Sequence, residues 1–156
     1  MLNTIIDCVK IYKDVTLVTI DGVNPEQLSR TMIFNAIKEK KINLDMISQT
    51  PHLGRTITIS FSVPDEHLTD VFEILARFRK QFPDIRTDVS SGCFVVSLSS
   101  PRMVDTAGVA ADVFSAFDNT GVPVLLITTS DVSISCLFSQ SSEMIIMSTL
   151  KSEGLL

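Results

Sequence analysis

The chain repeats one pattern of apolar residues at a constant separation of 80 positions (114 − 34 = 80). The repeat pairs residues of similar size and chemistry: Phe34 with Phe114, Ala36 with Ala116, Ile42 with Val122, Ile47 with Ile127, Val15 with Val95 and Val18 with Leu98. In each half these residues fall on a strand, a helix and a second strand. A constant offset over three successive elements predicts two copies of one small α/β module.

The clearest copy of this module is the stretch 105–138. Gly108 is followed by apolar residues at helical spacing, namely Val109, Ala110, Val113, Phe114 and Phe117. Gly121 ends the predicted helix at a position where a positive φ is favoured. The run VPVLLIT and the alternating VSISCLF predict two strands joined by a turn at Ser130–Asp131. The module therefore brings a loop, a helix N-terminus and a strand end together, which suits a small anion or zwitterion.

The first copy has the element order β-α-β-β-α-β, which is the split βαβ pattern. Asn24 is the expected N-cap of its first helix, with Pro25 in the first turn, and Pro64–Asp65 begins its second helix. The strands are predicted at residues 15–20, 42–50, 56–63 and 85–90. The buried helix faces are predicted to contain Leu28, Met32, Ile33, Ala36 and Ile37 in the first helix and Leu68, Val71, Phe72, Leu75 and Phe82 in the second.

The second copy lacks a final strand, whereas the chain begins with a spare one. After Phe138 the sequence predicts a short helix with Met144, Met147 and Leu150 facing inward. Residues 4–12 alternate as a strand, and Lys13–Asp14 is expected to separate it from the next. We therefore predict an α+β fold of two ferredoxin-like modules, the first nested in the second. The expected domains are residues 15–90 for the first, and 1–14 with 91–156 for the second.

Composition limits the possible partners and locations. Hydrophobic residues make up 45% of the 156 residues, which is high for so small a chain and favours self-association as a homodimer. The net charge of −5 gives no support for nucleic acid or an anionic membrane as a partner. No apolar run reaches the length of a membrane span, and the first residues lack a signal-peptide pattern. Three dispersed cysteines, Cys8, Cys93 and Cys136, predict buried, reduced thiols in a cytoplasmic protein.

The second copy resembles a known family. The segment SSPRM and the later segment GVAADVFSAFDNTGVPVLLITTSDVSIS are similar to the second ACT domain of aspartate kinase regulatory regions. In that family a Gly-rich, Met-containing loop precedes Pro-Gly-Val-Ala-Ala, and a later strand contains Ile-Ser-Thr-Ser-Glu. The segment INLDMISQT resembles the Ile-Asn-(apolar)-Asp-Met strand of the first ACT domain. The resemblance implies a pair of ACT domains that bind lysine or threonine where two subunits meet, and thereby control the first step of aspartate-family amino-acid synthesis.

The resemblance also implies a set of ligand-binding residues. They are Asp45 and Gln49 in the first copy and Met103, Thr106, Ala107, Gly108, Val109, Val124, Thr129, Ser130 and Asp131 in the second. By the family pattern, Asp45 and Gln49 of one subunit face residues 103–108 and 129–131 of its partner. Some of them have a simpler alternative: Gly108 as a packing position, Thr129–Asp131 as a plain turn, and Asp45 and Gln49 as surface residues.

Two functions remain open at this stage. The first is an amino-acid-sensing regulatory module that acts on an aspartate kinase catalytic domain or subunit. The second is an ACT module that only dimerises, because Leu28 stands where the family has a glycine and Ala107 replaces the proline before Gly108. An enzyme in its own right is disfavoured, since no Ser, Cys or Lys has a partner pattern for covalent catalysis. His52 and His67 are isolated, so we predict no metal and no cofactor.

Overall fold

A computed structural model describes residues 2–52 and 54–156. The contacts divide the chain into two units. The continuous unit comprises residues 14–92, and the discontinuous unit comprises the residues up to Lys13 together with residues 93–156.

The described residues form six strands and four α-helices. These are β1 (Cys8–Val23), α1 (Arg30–Glu39), β2 (Ile47–Pro51), β3 (Ile57–Pro64), α2 (Leu68–Gln81), β4 (Arg86–Ser99), α3 (Val109–Asp118), β5 (Leu126–Thr129), β6 (Ser133–Ser139) and α4 (Glu143–Ser152). Short 3-10 segments lie at Leu2–Thr4, Asp65–His67, Pro101–Asp105 and Gln140–Ser142.

Two strands, β1 and β4, are longer than the sequence predicted, because each contributes to both units. The predicted break at Lys13–Asp14 is therefore wrong. Asp14 has a φ of 55° and Gly92 a φ of 63°, and both strands continue through these residues. Asp and Gly tolerate the left-handed region as single residues, so a local turn of the backbone does not have to end a strand.

The continuous unit has the strand order β2-β3-β1-β4, with β3 antiparallel to both β1 and β2. Helices α1 and α2 supply the apolar residues that cover its core. Among the strand and helix residues in this core are Val18, Ile20, Ile59, Phe61, Ile33, Ile37, Leu75 and Phe78, all at most 3% exposed. Burial of each such side chain stabilises the fold by about 1.5–3 kcal/mol.

The first helix of this unit begins later than predicted. Its N-cap is Ser29, whose side chain accepts a hydrogen bond from the Met32 backbone N–H, and α1 starts at Arg30. The Asn24 side chain instead accepts from the Glu26 N–H at 3.1 Å and closes a turn, as asparagine commonly does outside helices. Met32 was predicted to be buried but is 38% exposed. Phe72 was also predicted to be buried but is 50% exposed, because the buried face of α2 contains Val71, Ile74, Leu75 and Phe78.

The discontinuous unit has the strand order β5-β6-β4-β1, with β6 antiparallel to β4 and β5. Residues 8–13 of β1 take the sheet position that residues 86–92 of β4 take in the continuous unit. Its core contains Phe94, Val96, Val113, Phe117, Cys136, Phe138, Ile146 and Leu150, each at most 1% exposed. The Phe117 and Phe138 rings meet edge to face at 5.1 Å. Both units are ferredoxin-like, and the predicted α+β fold class is confirmed.

Several details of the second copy differ from the sequence predictions. Ala110 is exposed, and Met144 is 86% exposed because Ile146 and Leu150 form the inner face of α4. Strand β5 begins only at Leu126, so the predicted strand VPVLLIT is mostly loop. Cys8 is exposed, whereas Cys93 and Cys136 are buried. Burial raises the pKa of the Cys136 thiol to about 12, so this thiol stays protonated.

Candidate functional site

The N-terminus of α3 is open to approach from outside. Gly108 is its N-cap, with φ 91° and ψ −7°, and no side chain caps the helix. The first helical hydrogen bond runs from the Asp112 N–H to the Gly108 carbonyl at 3.1 Å, which leaves the N–H groups of the first turn without an intrahelical partner. A Cβ on Gly108 would meet no atom within 4 Å. This helix end can therefore present backbone donors and a positive dipole to an anion.

The segment before α3 is ordered by its own hydrogen bonds. The Ser100 hydroxyl accepts from the Arg102 N–H at 3.1 Å, and the Met103 N–H donates to the Ser100 carbonyl at 3.1 Å. The Thr106 hydroxyl donates to the Arg102 carbonyl at 2.7 Å. Met103 is half-buried against the core of the unit. The predicted Met103 and Thr106 thus shape the loop, and Ala107 and Gly108 are exposed at its end.

The turn between β5 and β6 lies next to the start of this segment, since the Ser100 N–H donates to the Val132 carbonyl at 3.0 Å. Ser130 closes the turn itself: its N–H donates to the Ser133 carbonyl at 2.9 Å, and its hydroxyl accepts from the Val132 N–H at 3.2 Å. The Ser130 and Ser133 hydroxyls are also 2.8 Å apart. Thr129, Ser130 and Asp131 are all exposed. Because the Ser130 hydroxyl is already engaged within the turn, Thr129 and Asp131 are the more available side chains for a ligand.

Two predicted residues of this unit can offer only their backbone. Val109 is 4% exposed and packs into the core. Val124 is half-buried against the same core, and it lies in the loop before β5. Their side chains stabilise the unit, whereas the Val109 N–H belongs to the open first turn of α3.

The remaining predicted residues, Asp45 and Gln49, belong to the continuous unit. Asp45 is exposed in a bend before β2, which corrects its predicted place within a strand. Gln49 is exposed on β2, and its side-chain carbonyl accepts from Arg30 Nη1 at 2.9 Å.

Sequence reasoning missed a polar cluster beside the loop, formed by Asp7, Ser100 and Arg102. The Ser100 hydroxyl donates to Asp7 Oδ2, and Arg102 Nη2 donates to Asp7 Oδ1 at 2.5 Å. These hydrogen bonds, Ser100 first and Arg102 second, hold the pKa of Asp7 below its ordinary value of 3.8. Arg102 Nη1 also donates to the Thr4 carbonyl at 2.7 Å. A serine before Pro-Arg-Met does mark a cap, but no local pattern points to Asp7.

Within residues 2–52 and 54–156 no group of three or more His, Cys, Asp or Glu side chains is placed to hold a metal ion.

Across the same ranges, no helix is both long and apolar enough to span a membrane.

Comparison with known proteins finds similarities to one family. Residues 96–153 match the ACT domain family. The chain is 25% identical over 139 residues to an aspartokinase of Bacillus sp. (strain MGA3), covering 89% of this chain and 34% of that protein. It is 29% identical over 126 residues to the aspartokinase of Geobacillus stearothermophilus, covering 81% and 30%. The chain thus spans about a third of the length of these relatives.

The fold comparison agrees. The ligand-free regulatory subunit of aspartate kinase from Thermus thermophilus superposes with a TM-score of 0.83 at 20% identity, covering 94% of this chain and 97% of that one. The stretch that matches the ACT domain family, residues 96–153, lies within the discontinuous unit. Over most of its length the chain is similar to about a third of these aspartokinases, and its fold resembles that of the aspartate kinase regulatory subunit from Thermus thermophilus.

Proposed function

We propose that the chain is an allosteric regulatory module of an aspartate kinase and binds lysine or threonine at the N-terminus of α3. On this proposal the continuous unit, which is close to the expected domain 15–90, is also an ACT domain and is the first of the two along the chain. The observation that carries the proposal is the exposed helix N-terminus at Gly108, which has no side-chain cap. It falls within the segment that resembles the family and just inside the matched ACT region.

The chemistry of an amino acid fits this helix end. Its carboxylate would accept hydrogen bonds from the N–H groups that follow Gly108, and the helix dipole adds about 0.3–1 kcal/mol. Its ammonium group requires acceptors, and the exposed Asp131 carboxylate and the carbonyls near Val124 are candidates in the same unit. An exposed charge pair of this kind contributes only about 1 kcal/mol or less, so the backbone donors are expected to dominate.

We propose further that a second copy of the chain completes the site with Asp45 and Gln49. Two features support a homodimer. Ile47 on β2 is 51% exposed and Ile127 on β5 is 42% exposed, and they are equivalent by the offset of 80. Both strands lie at an end of their unit's strand order, where free backbone groups can pair with another chain. A sedimentation mass of one chain at tens of micromolar, with and without lysine or threonine, would contradict the dimer.

Titration calorimetry with lysine and threonine tests the ligand proposal, using Gly108→Val and the matched control Gly121→Val. Gly108 and Gly121 flank α3, both have positive φ (91° and 69°), and a Cβ at either would meet nothing within 4 Å. The two variants therefore carry a similar backbone strain of about 1–3 kcal/mol. Only the side chain added by Gly108→Val would project into the approach to the helix N-terminus.

We expect the wild type and Gly121→Val to bind one of the two amino acids, and Gly108→Val to lose that binding while it stays dimeric. If Gly108→Val binds as well as Gly121→Val, this loop is not the site.

A second candidate function is an assembly module without a ligand site. It is favoured by the first copy, where Leu28 is only 1% exposed at the position equivalent to Gly108, and where Ser29 caps α1. That helix end offers no comparable opening. A wild type that stays dimeric but gives no heat with either amino acid would support this function over the first.

In either case the partner would be an aspartate kinase catalytic domain or subunit. The relatives are aspartokinases, and the chain covers only about a third of each. Co-purification of the chain with the separately expressed remainder of a homologous kinase, and a change in kinase activity with lysine or threonine, would test this partnership.

A further inference from the structure

The loop before α3 is tied to the start of the chain by one side chain with two bonds. Arg102 donates from Nη2 to Asp7 Oδ1 at 2.5 Å and from Nη1 to the Thr4 carbonyl at 2.7 Å. Ser100 links the same carboxylate to the loop, since its hydroxyl donates to Asp7 Oδ2 and accepts from the Arg102 N–H. Both oxygens of Asp7 are therefore engaged by residues some 93–95 positions away.

The segment next to Asp7 is itself fixed. The Asp7 N–H donates to the Ser99 carbonyl at 3.1 Å, so Asp7 continues the pairing of β1 with β4. Ile6 is 6% exposed and Leu2 is 4% exposed, and both pack into the same core as Val109 and Val113 of α3. Asp7 is thus a charged group held in place by the sheet and the core, and it can serve as an anchor for a loop that has few apolar contacts of its own.

The anchor acts where the loop leaves the sheet. Ser100 follows the last residue of β4, and the 3-10 segment Pro101–Asp105 leads from it to Gly108. The loop residues past Arg102 are mostly exposed, and Val104 is 58% exposed. Without the bonds to Asp7, the path from β4 to the first turn of α3 would keep its own short-range hydrogen bonds, the bond from the Ser100 N–H to the Val132 carbonyl and the packing of Met103 against the core. Single hydrogen bonds of this kind are individually weak in water.

We propose that Asp7 and Arg102 are positioning residues for amino-acid binding at the N-terminus of α3. They hold the segment 100–105 in the geometry that presents the Gly108 end of the helix. This inference rests on the proposed function. It adds two residues to the ligand-binding set that the resemblance implied.

The first test measures loop order without any ligand. Hydrogen exchange is followed at the Met103 and Thr106 amides, which donate to the Ser100 and Met103 carbonyls, in the wild type, Asp7→Asn and Arg102→Gln. We expect about tenfold faster exchange of these two amides in both variants, since a lost hydrogen bond to a charged group commonly costs that much. The Asp112 amide, inside α3, should keep its rate. Unchanged exchange at Met103 and Thr106 would overturn the inference.

The second test measures binding of lysine and threonine by calorimetry. We expect Asp7→Asn and Arg102→Gln each to weaken binding about tenfold, and the double variant to weaken it by clearly less than about a hundredfold, because the two residues share the contact between Asp7 and Arg102. Arg102→Lys should lie between wild type and Arg102→Gln, since an ammonium keeps the charge but cannot reproduce the forked geometry. A purely structural role would lower the melting temperature without this pattern.

The control is Lys13→Gln, which removes an exposed ion pair of the same unit, Lys13 with Glu143 at 2.5 Å. It should leave both loop exchange and binding unchanged. If the wild type and Gly121→Val bind and Gly108→Val does not, but Asp7→Asn and Arg102→Gln bind as the wild type does, the positioning role is wrong while the proposed function stands. If the wild type binds neither amino acid, the proposed function fails and this inference fails with it.

Discussion

The two units share one fold but differ at the N-terminus of their first helix. In the continuous unit, Ser29 caps α1 through the Met32 N–H, and Leu28 fills the core beside it. In the discontinuous unit, the equivalent helix α3 begins at an exposed glycine with no side-chain cap. A cap stabilises a helix by satisfying its orphan donors, whereas an uncapped end leaves those donors for a ligand. On the proposed function, the same fold would serve as a scaffold in one copy and as a binding site in the other.

A second difference concerns an ion pair in each unit, placed where an end of β1 lies beside an end of β4; we call this place the corner of the unit. In the continuous unit Asp21, near the end of β1, pairs with Arg86 at the start of β4 at 3.2 Å. In the discontinuous unit the signs are exchanged: Arg102, just after β4, pairs with Asp7, just before β1. An ion pair joins the two strand ends in both copies, but only in the second copy does it involve the loop that leads to an open helix N-terminus.

The largest expected effect tests whether the two cores are equivalent. Phe117→Ala and Ile37→Ala remove side chains that are 80 positions apart and at most 2% exposed. We expect losses in the free energy of unfolding of about 3–5 kcal/mol for Phe117→Ala, and about 2–5 kcal/mol for Ile37→Ala, since each leaves a cavity. Urea unfolding gives the totals, and hydrogen exchange shows which unit is weakened. A loss below about 1 kcal/mol for either would show that its site collapses around the smaller side chain.

A smaller effect is expected at the capped helix. Ser29→Ala frees the Met32 N–H and should cost about 1 kcal/mol of stability, whereas Ser29→Gly, which imitates the residue type at Gly108, should cost only a few tenths. Ser115→Ala, at an exposed position in the middle of α3, is the control and should be neutral or slightly stabilising. Thermal unfolding measures all three. An equal cost for Ser29→Ala and Ser115→Ala would mean that the cap contributes nothing.

The repeat in the sequence predicted the fold because core residues of the two units recur at the same offset. Ile42 and Val122 are both buried, as equivalent core positions should be. The same offset could not show which apolar residues lie on the outside. Ile47 and Ile127 are equivalent, yet both are exposed on strands at the end of a unit's order, because the pattern records residue type and not the presence of a neighbouring strand.

Local motifs were less reliable than the repeat. Asn24–Pro25 has the composition of a helix start, but the Asn24 side chain closes a turn instead. The N-cap of the helix is Ser29. Several residues of the candidate site, such as Gly108, were indicated by a resemblance and a helix boundary. Their anchor was not, because Asp7 and Arg102 are 95 positions apart and neither carries a local pattern that links it to the other.

The smallest expected effect concerns the two aspartates at the corners. Asp21 Oδ1 accepts from the Thr58 hydroxyl at 2.6 Å and lies 2.7 Å from His52 Nε2. These two contacts, Thr58 first, lower the pKa of Asp21 from 3.8 to about 2, and the pKa of Asp7 is lowered by Ser100 and then Arg102. A carboxyl with a lower pKa in the folded state stabilises the fold above its unfolded pKa, and this contribution is lost as pH falls through the folded pKa.

For Asp21 that loss should occur between pH 3.8 and about 2. Carboxyl ¹³C chemical shifts, followed as pH is lowered, measure both aspartates in one experiment. Thr58→Val should raise the pKa of Asp21 and leave that of Asp7 unchanged, whereas Ser100→Ala should do the reverse, because each removes the strongest hydrogen bond to one carboxylate only. A midpoint for Asp21 at or above 3.8 in the wild type would show that the corner of the continuous unit is not closed in solution. The two corners would then differ in more than the exchange of their charges.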